Sequence, residues 1–284
     1  MTINRNDPNP PLVLVFAAAD PTGGAGIQAD IMTLAGMGCH ALTVITALTV
    51  QDTAGVEDVL PIDADFVAEQ ARAVLEDMPV QAFKLGVLGS ADNIAVIAEI
   101  IADYPHIPVI VDPVVASGRG DELASDAMLD LLCELILPQA TVITPNTMEA
   151  RRLAACRAGV GDDPEGRTQS DCAAVLMEMG CEYVLITGSH AQTPQVVNTL
   201  YGSGGVVRAD TWERLGASYH GSGCTLASAV AAALAHGLDM PHAVYEAQDF
   251  TWHALAHAFR PGMGQHIPNR FFWARPPAET DADS

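Results

Sequence analysis

Lysine is almost missing from this sequence. Lys84 stands alone among 284 residues, and the other twelve of the thirteen basic side chains are arginines. Against them stand 35 acidic residues, for a net charge of −22. A field of that sign repels polyanions and argues against a nucleic-acid or anionic-membrane surface. A small phosphorylated ligand is still compatible with it, because backbone N–H groups and a bound metal hold phosphate locally. Aromatic residues are scarce too, at 5%, although 49% of residues are apolar. The core is therefore expected to be aliphatic and alanine-rich, which suits helices packed on a parallel sheet. The six cysteines (Cys39, Cys133, Cys156, Cys172, Cys181 and Cys224) include no C-x-x-C pair and no zinc-like spacing. They read as reduced thiols of a cytoplasmic protein. No apolar run approaches the roughly 20 residues of a membrane helix. Residues 1–10 are polar, with no basic segment leading into an apolar core as in a secretion signal.

What is present is regular alternation. Leu12–Ala19 is an apolar run of buried-strand length, ended by Asp20-Pro21-Thr22-Gly23-Gly24. Ile27, Ile31, Leu34 and Ala35 then recur at helical spacing, and Ala41–Val50 reads as a second strand followed by a long loop. Further strands are predicted at 82–85, 108–111, 141–143 and 183–186. Helices are predicted at 65–76, 92–102, 125–136, 147–155 and 169–179. Residues 196–201 and 206–211, joined by Gly202-Ser203-Gly204-Gly205, read as an antiparallel hairpin. Two helices close the chain, at about 222–235 and 241–258. Strands alternating with helices imply one three-layer α/β/α domain over residues 1–284 with a mostly parallel sheet. Residues 1–11 and the acidic 276–284 are read as flexible ends. In such sheets ligands bind beyond the carboxyl ends of the strands; Asp20, Gln51, Asp112 and Asn146 all follow strands.

Four stretches carry candidate chemistry. Gly24-Ala25-Gly26-Ile27-Gln28-Ala29 satisfies G-x-G-x-x-G/A, a phosphate-approaching loop that a plain tight turn also satisfies. No lysine follows these glycines, so it is not a Walker A loop. Gly221-Ser222-Gly223-Cys224 opens an alanine-rich helix, whose unpaired N–H groups and positive end suit an anion. A thiol there is expected to have a depressed pKa and to act as a base or nucleophile, unless it is simply a packed small hydrophobe. In Thr144-Pro145-Asn146-Thr147-Met148-Glu149 the asparagine and glutamate have the spacing of a capping box, a strong plain reading, and also suit a hydrated Mg²⁺. Asp112-Pro113-Val114 places a carboxylate at another strand end, where capping a loop is the plain alternative. His253 and His257, an i, i+4 pair without a third ligand, read as structural.

In order along the chain, DPTGGAGIQAD (20–30), VITALTVQDTAGV (44–56), DPV (112–114), ITPNTMEA (143–150) and HGSGCTLASA (220–229) together resemble one family from about residue 12 to 267. These segments are similar to the hydroxymethylpyrimidine/phosphomethylpyrimidine kinases of thiamin biosynthesis, within the ribokinase-like superfamily; pyridoxal kinases are its nearest relatives. The resemblance implies a ribokinase-like fold, ATP with Mg²⁺, and phosphorylation of 4-amino-5-hydroxymethyl-2-methylpyrimidine and its monophosphate. It leaves open a monovalent-cation requirement, and it favours a homodimer. By resemblance, Gly221, Ser222, Gly223 and Cys224 form the anion hole and proton-accepting site. Asp20, Gly24, Asp30, Gln51 and Val87 border the pyrimidine. Asp112 and Glu149 lie on the metal side, and Asn146 and Thr187 on the nucleotide side. The family commonly carries K-G-G-H where this chain has Thr187-Gly188-Ser189-His190. Arg119 or a metal is therefore expected to supply the charge missing at Thr187. Pyridoxal phosphorylation, or pyrimidine binding without catalysis, is the alternative outcome.

Overall fold

The structure is a computed structural model that describes residues 9–115, 123–157, 166–188 and 193–274. Its centre is a nine-stranded sheet. The strands are β1 (Leu12–Ala19), β2 (His40–Gln51), β3 (Val56–Pro61), β4 (Ala82–Leu85), β5 (Val109–Val111), β6 (Val142–Ile143), β7 (Tyr183–Ile186), β8 (Gln195–Gly202) and β9 (Gly205–Glu213). They lie in the order β3-β2-β1-β4-β5-β6-β7-β8-β9. From β2 to β7 every pairing is parallel, while β3 at one edge and β8 and β9 at the other run antiparallel to their neighbours.

Alternation along β1 sends residues to both faces, as the two-residue period of a strand requires. Val13, Val15 and Ala17 pack in one cluster with α1 (Gly26–Gly36), α7 (Ser222–Ala235) and α8 (Met240–Ala256). Leu14 and Phe16 pack in the opposite cluster with α2 (Ala64–Asp77), α3 (Ala91–Ala102), α4 (Asp126–Leu131), α5 (Thr147–Ala155) and α6 (Gln169–Glu178). Three layers result, as expected from the alternation. In α7 every residue from Thr225 to Ala233 is buried. A helix apolar on all sides belongs inside, and its alanines let it lie close to the sheet, α1 and α8 together.

Two elements differ from the sequence reading. The segment after β2, expected as a loop, turns back and forms β3 against β2, with Leu48 opposite Leu60 and Val50 opposite Asp58. Four of its six residues are exposed, so the strand carries little hydrophobic pattern. The helix expected over 125–136 is α4 continued by a π-helical turn at Leu132–Ile136 and a 3-10 turn at Leu137–Gln139. Pro138 cannot donate to an α-helical ladder, so the helix cannot run through this point unchanged. Between β1 and β4 the direction of strand addition reverses, because β2 lies on one side of β1 and β4 on the other. That crevice is where an open α/β sheet offers a site.

Candidate active site

The turn leaving β1 is organised by Asp20. Its carboxylate accepts from the Thr22 amide at 2.8 Å, the Thr22 hydroxyl at 2.9 Å and the Ala25 amide at 2.7 Å, with His220 Nε2 at 2.8 Å. Burial works to raise the Asp20 pKa, but the His220 contact and the two amide donors outweigh it and bring it down to about 2. Asp20, expected beside the pyrimidine, is thus buried and committed to holding the Thr22–Ala25 turn in shape. Gly24 is a steric necessity, since a Cβ there would overlap the His220 ring.

The start of α7 packs against this turn. Gly221 is the N-cap, left-handed at φ 82°, and a Cβ on it would overlap the Gly24 carbonyl. Ser222, Gly223 and Cys224 follow in the first turn, and the helical ladder begins with the Thr225 amide donating to Gly221 O at 3.0 Å. Their three N–H groups therefore have no acceptor inside the helix. Beneath both turns lies Arg270, only 2% exposed. Its Nη2 donates to Gly24 O at 2.6 Å and its Nε to Thr225 Oγ1 at 3.1 Å. Sequence reading missed Arg270, which lies just past residue 267, where the resemblance ends.

Behind Cys224 is a sealed charge cluster. Lys84, on β4, lies 2.9 Å from Asp30 Oδ1 and 3.9 Å from Asp112 Oδ2, and Ser228 donates to Asp30 Oδ1 at 2.7 Å. Lys84 and Asp30 are both fully buried. Burial disfavours the ammonium, but Asp30, Cys224 and Asp112 more than offset it and hold the Lys84 pKa above the ordinary lysine range. Two expectations are corrected here. Asp30, assigned to pyrimidine contact, has no exposed surface and is engaged by Lys84 and Ser228, so it supports the site from below. Cys224, expected to have a depressed pKa, is shifted upward: burial acts first and Asp112 adds to it, while Lys84 and the Gly26 amide only partly compensate. The helix end favours a thiolate, while burial and the neighbouring carboxylates oppose it. The signal that could have revealed the cluster was the lysine itself, a lone charge inside the buried strand Ala82-Phe83-Lys84-Leu85, which requires a partner.

Asp112 stands at the carboxyl end of β5. Burial raises its pKa, and its Oδ2 is buried with no hydrogen-bond partner. Asn146 and Glu149 close a full capping box on α5: Asn146 Oδ1 accepts from the Met148 and Glu149 amides at 2.9 and 3.0 Å, and Glu149 Oε2 from the Asn146 amide at 2.8 Å. Burial, reinforced by the charge of Asp112 and partly offset by that amide, raises the Glu149 pKa to about 8. Among the described residues no three His, Cys, Asp or Glu side chains cluster as a metal cage. An orphaned buried oxygen on Asp112 with Glu149 nearby fits a hard cation that keeps most of its water and takes phosphate ligands.

The remaining expected positions ring this centre. Thr187 directly follows β7 and bridges to Asn146, and its carbonyl accepts from Thr147 Oγ1 at 3.3 Å. Val87 lines a small pocket of about 20 Å³ with Gly86, Leu88 and Pro113, and its carbonyl accepts from Thr46 Oγ1 at 2.6 Å. Gln51 ends β2, half-buried, ahead of a turn in which Thr53 O accepts from the Gln265 amide at 2.8 Å. An open depression of about 510 Å³ lies there, lined by Thr53, Ser218, Arg260 and His266 among others. His253 and His257 stack on Phe272, in keeping with a structural reading. Arg119 and His190 lie outside the described residues.

With this geometry in place, comparison with known proteins is specific. A family model described as phosphomethylpyrimidine kinase matches residues 20–269. A hydroxymethylpyrimidine/phosphomethylpyrimidine kinase of Streptomyces coelicolor is 38% identical over 93% of this chain and 96% of its own length. The crystal structure of phosphomethylpyrimidine kinase from Clostridium difficile superposes with a TM-score of 0.72 at 31% identity, over 86% of this chain and 99% of that one. Pyridoxal kinase from Staphylococcus aureus, solved in complex with AMP-PCP and pyridoxal, superposes with a TM-score of 0.82 at 26% identity, over 94% and 95% of the two chains.

Proposed function

The chain belongs to the phosphomethylpyrimidine kinase family, and from that membership we propose that it moves the γ-phosphoryl group of ATP to a pyrimidine. The first acceptor is the hydroxymethyl group of 4-amino-5-hydroxymethyl-2-methylpyrimidine; the second is the phosphate of the monophosphate so formed, giving the diphosphate used in thiamin synthesis. The observation that carries this reading is the joint between the two glycine turns. The start of α7, whose first three amides have no acceptor inside the helix, packs against the turn after β1, with Asp112 at the end of β5 beside Gly223 and Cys224. Phosphoryl transfer needs positioning and neutralisation of spread negative charge more than covalent chemistry, and this arrangement supplies both.

In the proposed reaction the amides of Ser222, Gly223 and Cys224 bind the equatorial oxygens in flight. Cys224, once its own proton has passed to solvent, receives the hydroxyl proton as the thiolate while the alcohol attacks in line and ADP leaves. In the resting protein its proton is retained by burial and Asp112, while Lys84 draws the balance toward the thiolate. Asp112 and Glu149 would hold Mg²⁺, which supplies charge neutralisation for the phosphates. Asn146 and Thr187 flank the nucleotide, and Gln51, Val87 and Gly24 border the pyrimidine. Arg119 or the metal is proposed to replace the cation absent at Thr187. A second copy is proposed to dock on the β2–β3 edge, where Leu48, Val50 and Leu60 are exposed together.

One observation favours a second reading: the superposition on pyridoxal kinase is at least as close as that on the pyrimidine kinase. Incubation with ATP, Mg²⁺ and each alcohol separately, with products resolved by mass, decides between them. The pyrimidine mono- and diphosphates are expected. Turnover of pyridoxal faster than of the pyrimidine overturns the assignment.

A further inference from the structure

Among the described residues Arg270 is the only buried arginine. After α8 the chain returns along itself, with Phe259 paired to Ile267 and Tyr219 bridged to His266. This return carries Arg270 beneath the site. Its guanidinium reaches four groups from two distant parts of the sequence: Gly23 O at 3.5 Å, Gly24 O at 2.6 Å, Gly221 O at 3.5 Å and Thr225 Oγ1 at 3.1 Å. Thr225 Oγ1 in turn donates to Gly221 O at 2.7 Å. A planar fork with five donors suits such a set, and an ammonium does not.

The consequence lies on the far side of each peptide. In a trans peptide the C=O and the following N–H point in opposite directions. With Gly24 O held by Arg270, the Ala25 amide turns away from it, and Asp20 Oδ2 takes that amide at 2.7 Å. By the same geometry, a Gly221 carbonyl held by Arg270 and Thr225 turns the Ser222 amide away from the guanidinium, toward the mouth of the helix. Burial lowers the Arg270 pKa to about 10, with the nearby acidic groups opposing the fall. At neutral pH it is therefore still a fixed positive charge behind the helix end, in a protein whose net charge is −22.

We propose that Arg270 is a positioning residue for phosphoryl transfer, locking the Gly23–Gly24 turn to the start of α7 so that the Ser222–Cys224 amides face the transferred group. The inference rests on the kinase reading above. It does not depend on which alcohol is the substrate, so its test uses whichever of the pyrimidine or pyridoxal the wild-type protein phosphorylates. Loss of the pyrimidine activity alone would therefore strike that reading and leave this one standing.

The test compares Arg270→Ala and Arg270→Lys with wild type by steady-state kinetics, alongside thermal unfolding to confirm that each variant is folded. Misplaced catalytic groups lower kcat rather than binding, so Arg270→Ala is expected to lose about 100-fold in kcat with ATP KM little changed. Arg270→Lys, which keeps the charge and loses the fork, is expected to lose roughly 10-fold. Millimolar guanidinium chloride is expected to restore part of the Arg270→Ala rate and none of the Arg270→Lys rate, a response that a merely destabilised protein would not give. A folded Arg270→Lys with wild-type kcat overturns the proposal, as does a folded Arg270→Ala unresponsive to guanidinium. If Arg270→Ala does not fold, the kcat and KM of Arg270→Lys decide.

Discussion

Cys224 sits between opposing influences: a helix N-terminus and Lys84 favour its thiolate, while burial, Asp112 and Asp30 favour the thiol. The second group prevails, and this sets two expected outcomes. Alkylation of Cys224 by iodoacetamide should be slow at pH 7 and should still be accelerating above pH 9, because the reactive thiolate appears only as pH rises toward its raised pKa. A rate already level at pH 7 would mean that the helix end dominates after all. Replacing Cys224 with alanine is expected to lower kcat by about 10²–10⁴ while ATP binding measured by calorimetry changes little; an unchanged kcat would remove Cys224 from the proposed reaction. Asp20 gives a pH effect of the opposite kind. Its folded pKa of about 2 lies below the ordinary 3.8, so the unfolded chain binds its proton first on acidification. The stability it contributes is present above about pH 4 and is lost as pH falls toward 2, amounting to about 2 kcal/mol. Denaturant unfolding of wild type and Asp20→Asn from pH 7 to pH 3 should show the two stabilities converging as pH falls.

At the scale of elements, the far edge of the sheet depends on one amide. Gln248 on α8 accepts from Asn198 Nδ2 and Trp212 Nε1, both at 2.9 Å, and donates to Asp210 at 3.0 Å. It thereby joins α8 to β8 and β9, and Asn198 passes the constraint to the Gly188 amide at 3.1 Å, just past Thr187. Gln248→Ala would leave buried donors unpaired and is expected to cost about 2–4 kcal/mol in urea unfolding. A loss under 1 kcal/mol would show that water or repacking satisfies them. The two glycine turns are a second such joint. Gly221 combines a left-handed backbone with direct contact on Gly24, so no side chain fits at Gly221 without moving α7 away from β1.

For the whole molecule, the sheet's parallel centre is covered on both faces, whereas its β2–β3 edge shows Leu48, Val50 and Leu60 to solvent. Exposed apolar strand edges attract partners. Sedimentation velocity is expected to show a dimer for wild type and a monomer for Leu60→Glu, with the sheet content of the two unchanged by circular dichroism. A dimer that survives Leu60→Glu would move the interface elsewhere. Among the described residues no helix is long and apolar enough to cross a membrane.

The layered architecture was legible in the residues because burial imposes local periods. Val13 to Phe16 alternate between faces, β4, β7 and α5 begin and end where their patterns do, and Asn146 and Glu149 announce their cap three residues apart. The glycine turns and Cys224 were legible as a candidate site for the same reason, since their chemistry lies in contiguous residues. β3 was not, because an exposed edge strand has no burial pattern to read. Lys84, Asp30 and Arg270 could not be given their places either: Lys84 meets Asp30 across 54 positions and Arg270 meets Gly24 across 246. Which charges neutralise one another in a dry interior is fixed only when strands and helices stack. That stacking also reversed the expected direction of the Cys224 pKa, because a thiol's proton affinity depends first on its burial and then on the carboxylates placed beside it, and not on its own helix alone.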